Sequence, residues 1–195
     1  MDKQVISKVT VGFSARHIHL SRADMDTLFG PGSELTFVKA LTQPGQFSAE
    51  EQVTLVGPKR EIKKVRVLGP LRPRTQIEIS RTDAFTLGLK PPVRDSGDVA
   101  QSAPITIVGP KGKIDLPEGA IIAKRHIHMT PKDAQELGLK EKDIVSVRVA
   151  EGDRSLIFDQ VLVRVNENFA LDFHVDTDEA NAAGIKNGQL VEILR

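Results

Sequence analysis

Two short stretches carry most of the residues able to do acid–base or metal chemistry: "SARHIHLS" at 14–21 and "IAKRHIHMT" at 122–130. Between them they hold four of the chain's five histidines. Residues i and i+2 of a strand project from the same face, with Cα atoms about 6.5 Å apart. His17 with His19, and His126 with His128, can therefore each bring two imidazoles to one ion. A lone His-x-His is more often an exposed or hydrogen-bonded pair. Two copies in matched frames, with only His174 spent elsewhere, point to metal binding.

A fourfold pattern extends this set. "IHLSRADMDTLFG" 18–30, "IEISRTDAFTLGL" 77–89, "IHMTPKDAQELGL" 127–139 and "FHVDTDEANAAGI" 173–185 share an apolar–X–apolar–cap start and a short helical stretch. The caps are Ser21, Ser80, Thr130 and Asp176, each with an acid three residues on: Asp24, Asp83, Asp133 and Glu179. That spacing predicts capping boxes. Pro131 suits a first helical position. Gly30, Gly88, Gly138 and Gly184 are placed to end the helices in the left-handed conformation. Position X holds His19, Glu78, His128 and His174, four side chains that can all bind a metal. With His17 and His126 the candidate ligands number six, which divides as three for each of two ions. Three protein ligands leave coordination positions open, as catalytic sites require. An all-nitrogen-and-oxygen set suits zinc, with nickel, cobalt, iron or manganese as alternatives. Asp172, two residues before His174, is placed either to orient an imidazole or to bind the ion itself.

The elements that must position these ligands are short. "VTLV" 53–56, "KKVRVL" 63–68, "QIEIS" 76–80, "ITIV" 105–108, "IVSVRV" 144–149 and "VLVRV" 161–165 alternate with period two, punctuated by "GP" at 57–58, 69–70 and 109–110. "VTLVGPK" 53–59 and "ITIVGPK" 105–111 are near copies. The pattern predicts a mainly β protein: two small β-barrels capped by short helices, each built from strand–helix–strand units.

Composition excludes several functions. The net charge of +1 offers no bulk field for nucleic acid or a membrane surface. No apolar run reaches the ~18 residues of a membrane span, and no signal peptide opens the chain. With no cysteine there is neither a disulfide nor a thiolate metal site, which fits a bacterial cytoplasmic protein. The lack of Trp and Tyr argues against a base-stacking platform.

Other polar features are open to two readings. "LGPLRPRTQ" 68–76 sets Arg72 and Arg74 just before Glu78, either as an arginine fork for phosphate or as a solvated basic loop. "PVRDSGD" 92–98 offers a hydroxyl and backbone N–H groups to an anion, or is a plain turn. Arg16 and Arg125 point to the opposite strand face from the histidines, where structural ion pairs are expected. "KALTQPGQFSAEEQ" 39–52 reads as a long linker between strands, long enough to be a binding loop.

Taken together, "RHIHLS", "KALTQPGQF", "TLVGPK", "LGPLR", "QIEISRTDA", "RHIHM" and "DTDEANAAG" resemble the PduL-type phosphate acyltransferases (phosphotransacylases), from about Val11 to the C-terminus. The resemblance implies that the first strand joins the C-terminal barrel. Residues 16–123 would then form the central barrel, and 1–15 with 124–195 the second. It implies two Zn2+ per chain in a dinuclear site, with metal ligands on His17, His19, Glu78, His126, His128 and His174. It implies a phosphate-binding, catalytic arginine at Arg72 and a phosphate-side serine at Ser96. The implied reaction is reversible: acyl-CoA plus phosphate gives acyl phosphate plus CoA, with propanoyl or acetyl groups, a chemistry used in propanediol degradation. The partners would be these small molecules, neither nucleic acid nor membrane, and the protein a homodimer. Members housed in bacterial microcompartments carry an N-terminal targeting extension; only "MDKQVISKVT" precedes the match here, so a cytoplasmic member is expected. With no cysteine to form an acyl-enzyme, phosphate is expected to attack the thioester directly. The alternatives are a binuclear metallohydrolase, a non-enzymatic metal-binding barrel, and a histidine-lined barrel without metal.

Overall fold

The computed structural model describes residues 3–195. In chain order the elements are β1 (Val5–Ser14), β2 (His17–His19), α1 (Arg22–Phe29), β3 (Phe37–Ala40), β4 (Phe47–Val56), β5 (Glu61–Gly69), β6 (Gln76–Glu78) and α2 (Arg81–Leu87). There follow β7 (Val93–Arg94), β8 (Ala103–Val108), β9 (Lys113–Ala123), β10 (His126–Met129) and α3 (Pro131–Leu137). The chain closes with β11 (Ile144–Val149), β12 (Leu156–Val165), β13 (Asp172–Asp176), α4 (Thr177–Ala183) and β14 (Leu190–Leu194).

The helices form where the fourfold pattern placed them. Ser80, Thr130 and Asp176 each cap a helix in a complete capping box with Asp83, Asp133 and Glu179, and Gly88, Gly138 and Gly184 end those helices in the left-handed conformation. α1 departs from this. Ser21 accepts from the Asp24 N–H, but the Ser21 N–H goes to Thr75 Oγ1, which in turn bonds the Asp24 carboxylate. Gly30 has a positive φ of 108° with an extended ψ of 151°, outside the left-handed helical well. The hydroxyl of Thr75, just ahead of β6, has taken the place of the local box.

The chain divides into two compact units: the stretch up to Ser14 with Thr42–Pro44 and Lys124–Arg195, and Ala15–Leu41 with Gly45–Ala123. The units are thus intertwined in sequence. In the first, β1, β13, β10, β12, β11 and β14 close a six-stranded barrel. β1 runs parallel to β13 and antiparallel to β14. Its core holds Ile127, Met129, Val163, Phe173, Val175 and Ile193. In the second, the ring runs β4–β5–β2–β6–β9–β8 and back to β4, with β3 added beside β4 and β7 beside β9. Ile18, Leu55, Val67, Ile77 and Ile107 fill it. Burying each such side chain contributes roughly 1.5–3 kcal/mol.

The paired "VGPK" turns have a common structural job. Lys59 N–H donates to Leu87 O at 3.0 Å and Lys111 N–H to Leu28 O at 2.9 Å, so each turn caps the C-terminal carbonyls of a helix. A Cβ at Gly57 would stand 2.2 Å from Leu87 O, and one at Gly109 2.5 Å from Leu28 O. Only glycine admits that approach. The stretch read as a linker over 39–52 is mostly strand, since β3 ends at Ala40 and β4 begins at Phe47. In the turn that remains, Gln43 is buried: its Nε2 donates to Ala170 O at 2.9 Å and its Oε1 accepts from Ala170 N at 3.1 Å.

Candidate metal centres

In the central unit β2 and β6 pair antiparallel, so that His17 faces Glu78 and His19 faces Gln76. Ile18 and Ile77 point into the barrel core, which leaves the two histidines and Glu78 on the opposite face. All three are buried nonetheless. His17 Nδ1 bonds the Ala15 carbonyl at 2.8 Å, which turns Nε2 toward Glu78 Oε2, 3.6 Å away. The His17 and His19 rings lie edge to face, 5.1 Å between centroids. Glu78 Oε1 accepts from Gln76 Nε2 and from Ser96 Oγ, both at 2.6 Å. Gln76 Nε2 also reaches Ser96 Oγ at 3.0 Å, and its Oε1 accepts from Gly97 N at 2.6 Å. One carboxylate oxygen is thereby anchored and the other is turned to the histidines.

Of the two loop arginines, Arg74 is ion-paired with Glu118. Arg72, whose backbone N–H donates to Leu20 O at 2.9 Å, acts on His19. Burial first, then the charges of His17 and Arg72, hold His19 far below the usual imidazole range, at about 2. His19 is neutral at any working pH, and its buried Nδ1 has no hydrogen-bond partner among the described residues. An unpaired buried nitrogen costs about 1–3 kcal/mol.

In the C-terminal unit the same logic places three imidazoles together. β10 pairs with β13 so that His126 faces His174 and His128 faces Asp172. One ligand atom from each of His126, His128 and His174 lies within 4.8 Å of the others. Among the described residues this is the one group that converges so tightly; His17, His19 and Glu78 are neighbours but do not meet that spacing. His126 Nδ1 bonds Lys124 O at 2.7 Å, repeating the His17–Ala15 arrangement, and its Nε2 stands 2.9 Å from His128 Nε2. Two imidazole nitrogens at that distance need a proton or a cation between them. Burial, followed by the charges of His126, His174 and Arg164, keeps His128 well below the usual imidazole range. His128 Nδ1, too, is buried without a partner. His174 Nε2 stands 2.9 Å from Asp172 Oδ2, whose other oxygen accepts from Thr10 Oγ1 at 3.3 Å. In this geometry Asp172 orients the imidazole. Gly12 faces His174 across the parallel β1–β13 pair, and a Cβ there would stand 2.9 Å from both Asp172 Oδ2 and the His174 ring.

Neutral imidazoles, two orphaned buried nitrogens and a carboxylate with one oxygen tied back fit a nitrogen-and-oxygen metal set. The arginines ahead of the histidine pairs brace the surrounding strands. Arg16 Nε donates to Asp83 Oδ1 at 2.8 Å, and Arg125 Nη1 to Glu179 Oε1 at 2.8 Å. Each acid is also the capping-box acid of the helix that follows Glu78 or His174. Ser96, expected on the phosphate side, here donates to Glu78. Two neighbours of these side chains are not marked by the motifs: Gln76, two residues before Glu78 on β6, and Gly12, which meets His174 only through the pairing of β1 with β13.

Fold and site together define a protein of two small barrels, of which the C-terminal one brings three histidines close enough to hold a metal. The family model described as PTAC, phosphate propanoyltransferase, matches residues 10–186. A Thermotoga maritima protein named phosphate propanoyltransferase is 63% identical over 186 residues, covering 95% of this chain and 89% of its own length. Proteins of the same name from Lachnoclostridium phytofermentans and Salmonella typhimurium are 56% and 50% identical, covering 95% and 96% of this chain and 87% and 89% of theirs. The chain belongs to the phosphate propanoyltransferase family and is an acyltransferase.

Proposed function

We propose that this protein transfers a propanoyl or acetyl group reversibly between coenzyme A and inorganic phosphate, with two zinc ions per chain. One ion would be held by His17, His19 and Glu78, the other by His126, His128 and His174. The observation that carries this reading is the convergence of three imidazoles within 4.8 Å in a member of this family. Zinc bound there would supply Lewis-acid charge for the thioester carbonyl and the phosphate.

The chain's own residues do the rest. Arg72 grips phosphate oxygens through its guanidinium, and Ser96 turns its single O–H from Glu78 to the same group when phosphate is bound, while Gln76 keeps its hold on Glu78. A phosphate oxygen forms the bond to the thioester carbon, the C–S bond breaks, and CoA leaves as a thiolate that takes up a proton from solvent. Ping-pong initial-rate kinetics would overturn this direct attack. Arg72→Ala is expected to raise the KM for phosphate about 10–100-fold with metal content unchanged.

Free CoA release from propanoyl-CoA, measured with and without phosphate and before and after chelation, tests the whole reading. Release that requires both phosphate and metal is expected. Release without phosphate would favour a binuclear metallohydrolase, and metal binding without turnover a non-enzymatic barrel. The same reading takes the protein as a homodimer of the bacterial cytoplasm, which sedimentation and fractionation check. Among the described residues no helix is long and apolar enough to cross a membrane.

A further inference from the structure

Beside His128 on the C-terminal barrel stands a cation to which nothing so far assigns a task. β10 and β12 run parallel, with His126 level with Leu162 and His128 level with Arg164. Ile127 and Val163 fill the core, so Arg164 shares the outer face with the histidines. The Phe169 ring packs edge to face on His128, 4.4 Å between centroids, and the Arg164 guanidinium lies over that same ring, 5.6 Å from its centroid. The side chain is half-buried. Among the described residues it makes no hydrogen bond and no ion pair. Arg16, Arg22, Arg74, Arg125 and Arg148 all meet carboxylates at 2.9 Å or closer.

The sister barrel provides a built-in comparison. β2 and β5 also run parallel, His17 level with Arg66 and Ile18 with Val67, so the register continues to Leu68 beside His19. Where the central barrel has leucine, the C-terminal barrel has arginine. A leucine there satisfies the fold, and the arginine therefore answers to something other than packing.

We propose that Arg164, steadied on Phe169, is a second anion-binding residue of the active site, recognising a phosphoryl group of a substrate. Its five N–H donors meet no acceptor among the described residues and form a planar fork matched to phosphate oxygens. The stacked ring fixes its direction and lowers the entropy lost on binding. This rests on the proposed acyl transfer, in which two substrate features carry such oxygens: the attacking phosphate and the phosphates of CoA.

The test compares the zinc-loaded wild-type enzyme with Arg164→Leu, which copies the sister barrel, and Arg164→Lys. Steady-state KM is measured for phosphate, for propanoyl-CoA and for propanoyl-pantetheine, which lacks the nucleotide phosphates. Calorimetry with inorganic phosphate and zinc analysis accompany it. The expected result for Arg164→Leu is a roughly 10–100-fold rise in KM for one phosphoryl-bearing substrate, zinc content unchanged and partial recovery in Arg164→Lys. A rise confined to phosphate, with weaker calorimetric binding, assigns the residue to that substrate. A rise for propanoyl-CoA but not propanoyl-pantetheine assigns it to the coenzyme's phosphates. Unchanged constants for both, or loss of zinc, overturn the proposal. A wild-type enzyme that shows no phosphate-dependent transfer overturns the proposed function instead.

Discussion

Glu78 has one oxygen committed to Gln76 and Ser96 and the other facing His17, so its carboxylate is aimed before any ion arrives. On the proposed two-zinc reading, removing its charge while keeping its shape, as in Glu78→Gln, is expected to lower metal content from two ions per chain toward one. Acyl transfer should fall at least 100-fold; elemental analysis and the CoA-release assay check both. Gly12→Ala acts at the other set by steric means. A Cβ 2.9 Å from the His174 ring must displace the imidazole, and zinc affinity there is expected to drop about 10–100-fold in a competitive chelator titration. Protonation opposes the same geometry. His19 and His128 are held below their ordinary value of 6.5 in the fold, so the unfolded chain binds more protons than the folded one below that pH. Stability of the metal-free protein is therefore intact above pH 6.5 and declines as pH falls below it. Each of these histidines adds up to about 1.4 kcal/mol per pH unit. Urea midpoints of chelated protein between pH 8 and pH 5 measure that slope, and His19→Asn should flatten it.

Arg16 and Arg125 tie each histidine strand to the helix that follows Glu78 or His174, through Asp83 and Glu179. Arg16→Met leaves Asp83, itself buried, with only its capping bonds, and is expected to cost about 1–3 kcal/mol by denaturant unfolding. Most of this element-level design is local and was legible from spacing alone. His-x-His periodicity, caps with acids three residues on, and the glycine stops each depend on neighbours a few residues away. What stayed hidden depends on distant neighbours. Thr75 displaces the capping box of α1 from 51 residues further along the chain, and Ser96 meets Glu78 across a loop. Arg164 reaches His128 only because β12 lies beside β10. The linker reading of 39–52 failed for a related reason: β3 is a short, exposed edge strand whose residues show no buried alternation.

At the scale of the molecule, the barrel bearing His126, His128 and His174 is closed by a strand from the opposite end of the chain. A chain cut after Ser14 lacks the partner of both β13 and β14 and the wall opposite His174. Such a truncation is expected to lose zinc at the C-terminal set, and a synthetic peptide of residues 3–14 added in trans should restore part of it, measured by bound metal per chain. The order of manufacture carries a further consequence. The central barrel's strands all leave the ribosome before residue 124, so that half can fold while synthesis continues. β1 is made before the rest of its barrel and must wait for β14, whose last residue is Leu194, to find its antiparallel mate. Through most of translation it lacks both partner strands, and the second histidine set is expected to assemble last.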